Sequence, residues 1–243
     1  MAQTDEVKQQ VAAHWNRRAA GFDSDFGHSI RTAAERAAWD RILDLVVSGR
    51  GTLDALDVGC GTGFLSFELA GRRHRVTGID FAPQMLAEAK NKAAAQRVSV
   101  RFEDGDAEAL RFPDASFDLV MTRHVLWTLP HPEAAIDEWM RVLRPGGRLA
   151  IVDSQFDPST ALVERGPRNA RNSSEYAAIG DRLPFLGGRP QAEIETLLRA
   201  HGLVDVAGDP VDDLVQAQYD RMAEEGLEPH VRRRYVVWGD KPR

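Results

Sequence analysis

Cysteine is almost missing from this chain: Cys60 is the one thiol in 243 residues. A single thiol leaves no intrachain disulfide and no multi-cysteine metal site, so a reducing, cytoplasmic setting is the expectation. Long apolar runs are missing as well. The first ten residues, MAQTDEVKQQ, are polar and charged and hold no apolar stretch of the signal-peptide kind. No segment approaches the roughly 20 apolar residues of a membrane span. Excess positive charge is the third absence. Lys and Arg number 31 against 37 Asp and Glu, a formal net charge of −6, which offers no broad attraction for phosphate backbones or anionic membrane surfaces. Nucleic acid and membrane are therefore disfavoured partners. There is no internal repeat and no low-complexity tract.

What is present suits one α/β domain with elaborations, because 43% of the residues are hydrophobic and the length supports a sizeable core. Residues 1–50 read as helical. Val7, Val11, Trp15 and Arg18 fall on one face, Ala38, Ile42, Leu45 and Val46 form a second stripe, and the turn formers of GFDSDFGHS lie between them. From residue 51 to the end a second unit follows, in which short apolar runs alternate with helical stretches as in βαβ units of a parallel sheet. Strands are predicted near 53–58, 75–79, 98–103, 117–122 and 148–152, and helices near 63–70, 83–95 and 132–143. Pro83 and Pro132 suit first-turn positions, and Gly71 and Gly146 suit helix exits. Arg144-Pro145-Gly146-Gly147 reads as a plain turn. Residues 154–189 break the alternation and read as an insertion, a lid over the substrate. A helix opened by Pro190 and ended by Gly202 follows, then strands near 203–206 and 234–238.

The chemistry gathers where the first predicted strand meets its helix. Asp57-Val58 runs into Gly59, Gly61 and Gly63, so backbone is free to approach a ligand where a Cβ would obstruct it. A pyrophosphate loop of the form G-x-G-x-x-G requires glycine at 64, where this chain has Phe64, and that counts against NAD and FAD. Asp80 ends the second strand, placed to accept hydrogen bonds from both hydroxyls of a ribose. Asp106 follows the third strand in Gly105-Asp106-Ala107, placed to accept from an adenine amino group. Each aspartate alone is also explained as a cap or turn residue. Together they place polar contacts on the rim where open α/β sheets bind ligands. A nicotinamide-dependent oxidoreductase is the competing class.

LDVGCGTGFLS, GIDFAPQML, GDAEALRFPDASFDLV and EWMRVLRPGGRLAIVD, in that order and spacing, resemble the class I S-adenosylmethionine-dependent methyltransferases, especially those similar to ubiquinone/menaquinone biosynthesis enzymes. The resemblance is firm over about residues 50–155 and looser beyond. It implies a doubly wound, mostly parallel seven-stranded sheet, a Rossmann-like methyltransferase fold whose last strand runs antiparallel between its neighbours. It further implies S-adenosyl-L-methionine as cofactor, the glycine loop at its methionine end, Asp80 on its ribose and Asp106 on its adenine. Phe81 and Met85 resemble the apolar positions beside the adenine ring, with a core role as the alternative. The amino-terminal residues gather aromatic and basic groups, and similar enzymes use this region as a lid. The cofactor's carboxylate is then expected to meet Arg18 and its sulfonium an aromatic face, with Trp15 and His28 among the cofactor contacts; Trp15 as core and Arg18 as solvated surface is the alternative. Many relatives carry a tyrosine near Phe22, so a phenolic hydrogen bond there is in doubt.

Methyl transfer from a sulfonium is an in-line displacement that needs alignment and exclusion of water. An alcohol, phenol or activated carbon acceptor gains further from a positioned base. The candidate is His124, because Thr122-Arg123-His124 follows the fourth strand on the same rim, with Arg123 as a further cofactor contact; capping or packing of His124 at a helix start is the alternative. In the insertion, Leu183-Pro184-Phe185-Leu186 is a candidate apolar wall, with a loop of no chemical role as the equal alternative, and Arg165, Arg168 and Arg171 read first as a solvated face and second as a contact for an anionic substrate. A small organic metabolite is the expected acceptor, RNA or protein the alternative. A homodimer is one of the assemblies the chain leaves open.

Overall fold

The computed structural model describes residues 2–155, 178–227 and 233–243. Its elements are α1 (Ala2–Arg18), α2 (Ala33–Val47), β1 (Asp54–Val58), α3 (Phe64–Gly71), β2 (Arg75–Asp80), α4 (Pro83–Gln96), β3 (Arg101–Asp104), β4 (Phe117–Arg123), α5 (Pro132–Val142), β5 (Leu143–Gln155), α6 (Gln191–Ala200), β6 (Val204–Asp209), α7 (Asp212–Glu224) and β7 (Arg233–Asp240). The strands make one seven-stranded sheet in the order β3-β2-β1-β4-β5-β7-β6. β7 runs antiparallel to both β5 and β6, and the pairings from β3 across to β5 are parallel. This is the expected α/β class and sheet. Among the described residues, no helix is long and apolar enough to cross a membrane.

Alternation along each central strand divides the core. Leu56 and Val58 of β1, Val120 of β4, Leu149 and Ile151 of β5 and Val237 of β7 point to one face, against Ile136 and Trp139 of α5 and Ile194 and Leu198 of α6. Ala55, Leu119, Met121, Ala150, Val152 and Val236 point to the other, against α2 and α3 and Leu214 of α7. Strands covered on both faces need nearly continuous apolar sequence, which is why LDALDV, FDLVMT and LAIVD are legible as strands. Helix starts follow local chemistry. Pro83 and Pro132 occupy first-turn positions as predicted, and α2 opens with a capping box in which the Thr32 side chain takes the Glu35 amide and the Glu35 carboxylate takes the Thr32 amide.

Four local expectations are corrected. β3 begins at Arg101 rather than Val98: left-handed Arg97 closes α4, the Val98 amide returns to the Ala93 carbonyl, and pairing with β2 starts at Thr77–Arg101. Arg144-Pro145-Gly146-Gly147 is not a free turn but lies inside β5, as an irregularity between the Phe117–Leu143 and Leu119–Arg148 pairs, where Gly146 takes φ +78 and donates to the Lys241 carbonyl. Gly146 thus ends no helix, whereas Gly71 is the last residue of α3, with left-handed Arg73 after it. α7 was not anticipated, because its inner face buries Gln218 and Arg221 beside Leu214, Ala217 and Met222, which blurs the apolar stripe. Of the insertion, Ser154 and Gln155 belong to β5 and residues 178–189 are described; Arg165, Arg168 and Arg171 lie outside the described residues.

α7 is fastened to α2 by a buried ion pair. Arg221 Nε donates to Glu35 Oε1 at 3.0 Å, the guanidinium stacks 3.9 Å from the Phe26 ring, and Glu35 is 1% exposed. Removing one member of such a pair leaves an uncompensated buried charge, at about 3–5 kcal/mol. Arg221→Met is accordingly expected to lower the thermal midpoint by roughly 6 °C or more in a chain of this size, while substitution of exposed Gln216 on the same helix leaves it unchanged. A midpoint shift below about 2 °C for Arg221→Met in a thermal melt followed by circular dichroism would remove the pair from the list of interactions holding α7.

Candidate cofactor and active site

The loop after β1 is built by three left-handed glycines with different reasons for lacking a side chain. At Gly59 an added Cβ would sit 2.4 Å from Val125 Cγ2, and at Gly63 2.7 Å from Phe67 Cε2. At Gly61 it would meet nothing within 4 Å. Gly59 and Gly63 thus serve packing, whereas Gly61 leaves open space at the loop's crest. Asp80 holds that crest in place: its Oδ2 accepts from the Gly61 amide and its Oδ1 from the Ala82 amide, both at 2.8 Å. Enclosure pushes the Asp80 carboxyl up to about 6, against the lowering effect of these amides. The Phe81 amide contributes a third backbone donor, which leaves the two oxygens a lone pair for a ligand hydroxyl.

The next strand end continues the rim. The Gly105 amide donates to the Asp80 carbonyl at 3.1 Å, carrying the chain to Asp106. Asp106 Oδ1 accepts from the Glu108 amide at 2.9 Å and Oδ2 from Lys8 Nζ at 2.7 Å, and Lys8 also reaches Glu108 at 2.6 Å. The Ala107 carbonyl is turned inward, accepting from Trp139 Nε1 at 2.9 Å. Phe81 stands 40% exposed beside this rim, while Met85 is buried against Ala19, Ala82, Trp15 and Phe22.

α1 and the turn after it lie over these strand ends. Asp23 accepts from Thr62 Oγ1 of the glycine loop at 2.5 Å and from Lys92 of α4 at 2.6 Å, and Asn16 accepts from the Gln84 amide at 2.9 Å. Trp15 packs edge-on against Phe22 at 5.9 Å and Trp127 at 6.1 Å, and His28 lies 4.0 Å from Phe22. Arg18 reaches over Trp15 and Phe22 and pairs with Asp25 at 2.6 Å, so its charge is already answered within the lid. Leu183 of the described insertion is buried with Val7 and Ile179, and Val11, Trp127 and Leu186 pack against them.

Two of the predicted contacts face away from the rim. Asp57 is 1% exposed and accepts from Ser66 Oγ of α3 at 2.6 Å; burial pushes its carboxyl up to about 7. Arg123 belongs to the Met121 face of β4, where it lies 4.1 Å over the Phe64 ring and donates to the Gly27 carbonyl at 2.7 Å. His124, one residue on, is on the opposite face. Its φ is +59, its amide donates to the Val152 carbonyl at 3.0 Å, and its Nδ1 lies 3.2 Å from Asp153 Oδ1. Asp23, Lys8 and Asp153 were not foreseen. Asp153 carried a signal, as an acid at the carboxyl end of LAIVD; Lys8 and Asp23 carried none beyond their charge.

Residues 56–151 match the model of the family described as "Methyltransferase domain". The chain is 33% identical over 212 residues to 27-O-demethylrifamycin SV methyltransferase of Amycolatopsis mediterranei, an alignment covering 85% of this chain and 74% of that one. It is 45% identical over 100 residues to demethylmenaquinone methyltransferase of Deinococcus radiodurans, covering 40% of this chain and 42% of that one, so the chain spans less than half of that relative's length. It spans 57% of the Thermus thermophilus demethylmenaquinone methyltransferase, at 41% identity over 135 residues. Among solved structures, the [4+2]-cyclase SpnF shares the fold with a TM-score of 0.66 and 23% identity over 97% of both chains, and phosphoethanolamine N-methyltransferase 2 of Haemonchus contortus, solved with S-adenosyl-L-methionine, does so with 0.64 and 17% over 86% of this chain and 53% of that one. The sheet, the glycine loop and these relatives define a class I fold of the Rossmann-like type. The chain belongs to the S-adenosylmethionine-dependent methyltransferase family.

The residues present fit that family's cofactor. The crest at Gly61 is open, with nothing within 4 Å of an added Cβ, and the Asp80 carboxylate is bonded to its amide. Gly61→Ala is therefore expected to lower the thermal midpoint by only a few degrees, the scale of about 1–2 kcal/mol for a left-handed alanine, while weakening S-adenosylmethionine by roughly tenfold or more, about 1.4 kcal/mol. Gly59→Ala, which drives a methyl into Val125, is expected to lose considerably more stability. Calorimetric titration and melting of the two variants check the contrast; equal behaviour of the two would sink the distinction.

Proposed function

We propose that this protein transfers a methyl group from S-adenosylmethionine to a small organic metabolite. The observation that carries the reading is the open Gly61 crest with the Asp80 carboxylate fixed to its amide, one strand end from Asp106. In this reading Asp80 accepts from the ribose hydroxyls. Asp106, which already accepts from Lys8, accepts from the adenine amine. The aromatic cluster of Trp15, Phe22 and Trp127 covers the methionine end, and His124 stands at the reacting end. When bound, the cofactor supplies an electrophilic methyl on a sulfonium, and the protein's part is to align the acceptor and keep water out. The lid ties to the glycine loop, to α4 and to Asp106 serve that exclusion.

A small acceptor is supported by the relatives, named for demethylmenaquinone and 27-O-demethylrifamycin SV, and by the net charge of −6, which gives no footing for a nucleic-acid backbone. Family membership favours this cofactor over the nicotinamide alternative, and Phe64 at the position of a third pyrophosphate glycine agrees.

Calorimetry tests the proposal. Saturable S-adenosylmethionine binding is expected, with Asp80→Ala weakening it more than tenfold through the loss of two ribose hydrogen bonds. The carboxyl sits at about 6 in the free protein, and only its ionised form accepts both hydroxyls. Dissociation constants are therefore expected to be flat above pH 7 and to rise toward about tenfold per unit below pH 6, with Asp80→Asn flattening the acid limb. Absence of binding at millimolar cofactor, or a wild-type affinity in Asp80→Ala, rules the reading out.

A further inference from the structure

At the end opposite the cofactor rim, one corner of the sheet lacks the helical cover that its neighbours have. β1 and β2 are joined through α3, β2 and β3 through α4, and β4 and β5 through α5. Residues 105–116 between β3 and β4, all among the described residues, form no helix. Parallel sheets are ordinarily covered on both faces. Here a cleft of about 540 Å³, a size that suits a small molecule, is lined by His74, Arg75, Val76, Arg101, Phe112 and Phe117. Arg75 shares a face of β2 with Ile79, and Arg101 of β3 lies beside Thr77 on that same side. The cleft is at the start of β2 and Asp80 at its end, roughly 16 Å away at about 3.3 Å per residue.

The lining divides into donors and an apolar wall. His74 is 9% exposed, and its Nδ1 accepts from the Leu53 amide at 3.2 Å, so Nε2 carries the hydrogen. That Nε2 is buried and has no hydrogen-bond partner among the described residues. Burial and the charge of Arg72 lower the His74 pKa, which keeps the ring neutral at pH 7. A buried donor left unpaired is costly, and a ligand acceptor would satisfy it. Arg75 and Arg101 have side chains 65% and 71% exposed, the first paired with Asp54 and the second with Glu103. Pairs this exposed are weak, so either guanidinium is free to turn to a ligand. Asp54, the acid of the lining, is taken by Arg75 and Arg144, which disfavours a cationic ligand. Phe112 and Phe117 meet edge to face, with centroids 5.0 Å apart, and form the wall with Val76.

We infer that this cleft is a second ligand site, for a small organic oxyanion with a carboxylate or phosphate head on an apolar body the size of an aromatic ring. With Nδ1 of His74 committed to Leu53, Nε2–H is the donor left for the head, and the Arg75 and Arg101 guanidiniums supply the opposite charge. Nε2 is closed to solvent in the free protein, so the head reaches it as the two long side chains turn from Asp54 and Glu103. The body lies against Phe112, Phe117 and Val76. A neutral compound of the same shape forgoes the charge, and a bare phosphate forgoes the apolar contact. None of these residues belongs to the cofactor rim, so the inference stands apart from the methyltransferase reading.

Nuclear magnetic resonance titration of the isotope-labelled full chain, without cofactor, tests this with phenyl phosphate, benzoate, inorganic phosphate and benzyl alcohol. Saturable binding of phenyl phosphate, of benzoate or of both is expected, and which of them binds names the head group. The amide resonances of Val76, Arg101 and Phe117 are expected to move while those of Gly61 and Asp106 stay in place. The His74 Nε2–H proton, identified by its loss in His74→Gln, is expected to move downfield as it gains an acceptor. Benzyl alcohol and inorganic phosphate are expected to bind roughly tenfold more weakly or worse. Arg75→Gln combined with Arg101→Gln changes two exposed side chains, spares the core, and is expected to weaken the aromatic anions by roughly tenfold or more. Absence of binding by both aromatic anions at tens of millimolar overturns the inference. So do benzyl alcohol or inorganic phosphate binding as tightly as the aromatic anions, shifts confined to the glycine loop, or wild-type affinity in the double variant.

Discussion

The Asp80 carboxylate, shared between the Gly61 and Ala82 amides, is the interaction on which the rest of the rim depends. With one group it fixes the crest of the glycine loop after β1 and the approach to α4 after β2. Its backbone carbonyl holds the Gly105 amide, so the third strand end is placed from the same residue. A carboxylate partly withdrawn from water is costly unless its oxygens are occupied. Backbone amides meet part of that demand, and the rise of the carboxyl to about 6 records the remainder. Hydroxyl donors from a ligand would complete the shell, which ties the local energetics of the free protein to the binding reaction.

Around that rim the fold divides its labour by strand face. On the α3 side, Asp57 and Arg123 are drawn into the interior, the first bonded to Ser66 and the second stacked on Phe64 and bonded to the Gly27 carbonyl. They support the loop and the lid from behind. On the other side, His124 and Asp153 meet at the mouth of the sheet. Arg123 and His124 are adjacent in sequence, yet the strand period of two sends them to opposite faces. The lid joins both halves, since Asp23 reaches Thr62 and Lys92, while Lys8 reaches Asp106 and Glu108.

The neighbouring folds sharpen the distinction between architecture and chemistry. A protein named as a [4+2]-cyclase and one named as an N-methyltransferase share this sheet at TM-scores of 0.66 and 0.64. Reaction type is therefore argued from side chains at the strand ends, not from the sheet. Here the rim offers an open glycine crest, two carboxylates and a histidine beside a buried acid.

The sequence by itself determined the parallel core, the glycine loop and the rim acids Asp80 and Asp106. All of these follow from short-range rules: strands covered on both faces read as apolar runs, a close approach reads as glycine, and a residue ending a strand is on the ligand side. The α7 helix escaped because Arg221 and Gln218 occupy its buried face, and Arg221 is answered there by Glu35 and Phe26, far away in the chain. Asp153 as the partner of His124, Lys8 on Asp106 and Asp23 on Thr62 were decided by tertiary structure alone, across separations of 29, 98 and 39 residues. Tertiary structure likewise turned Asp57 and Arg123 inward. Periodicity says which residues share a face; which face becomes interior, and what lies across from it, is set by the register of strands and the docking of helices that no local pattern encodes.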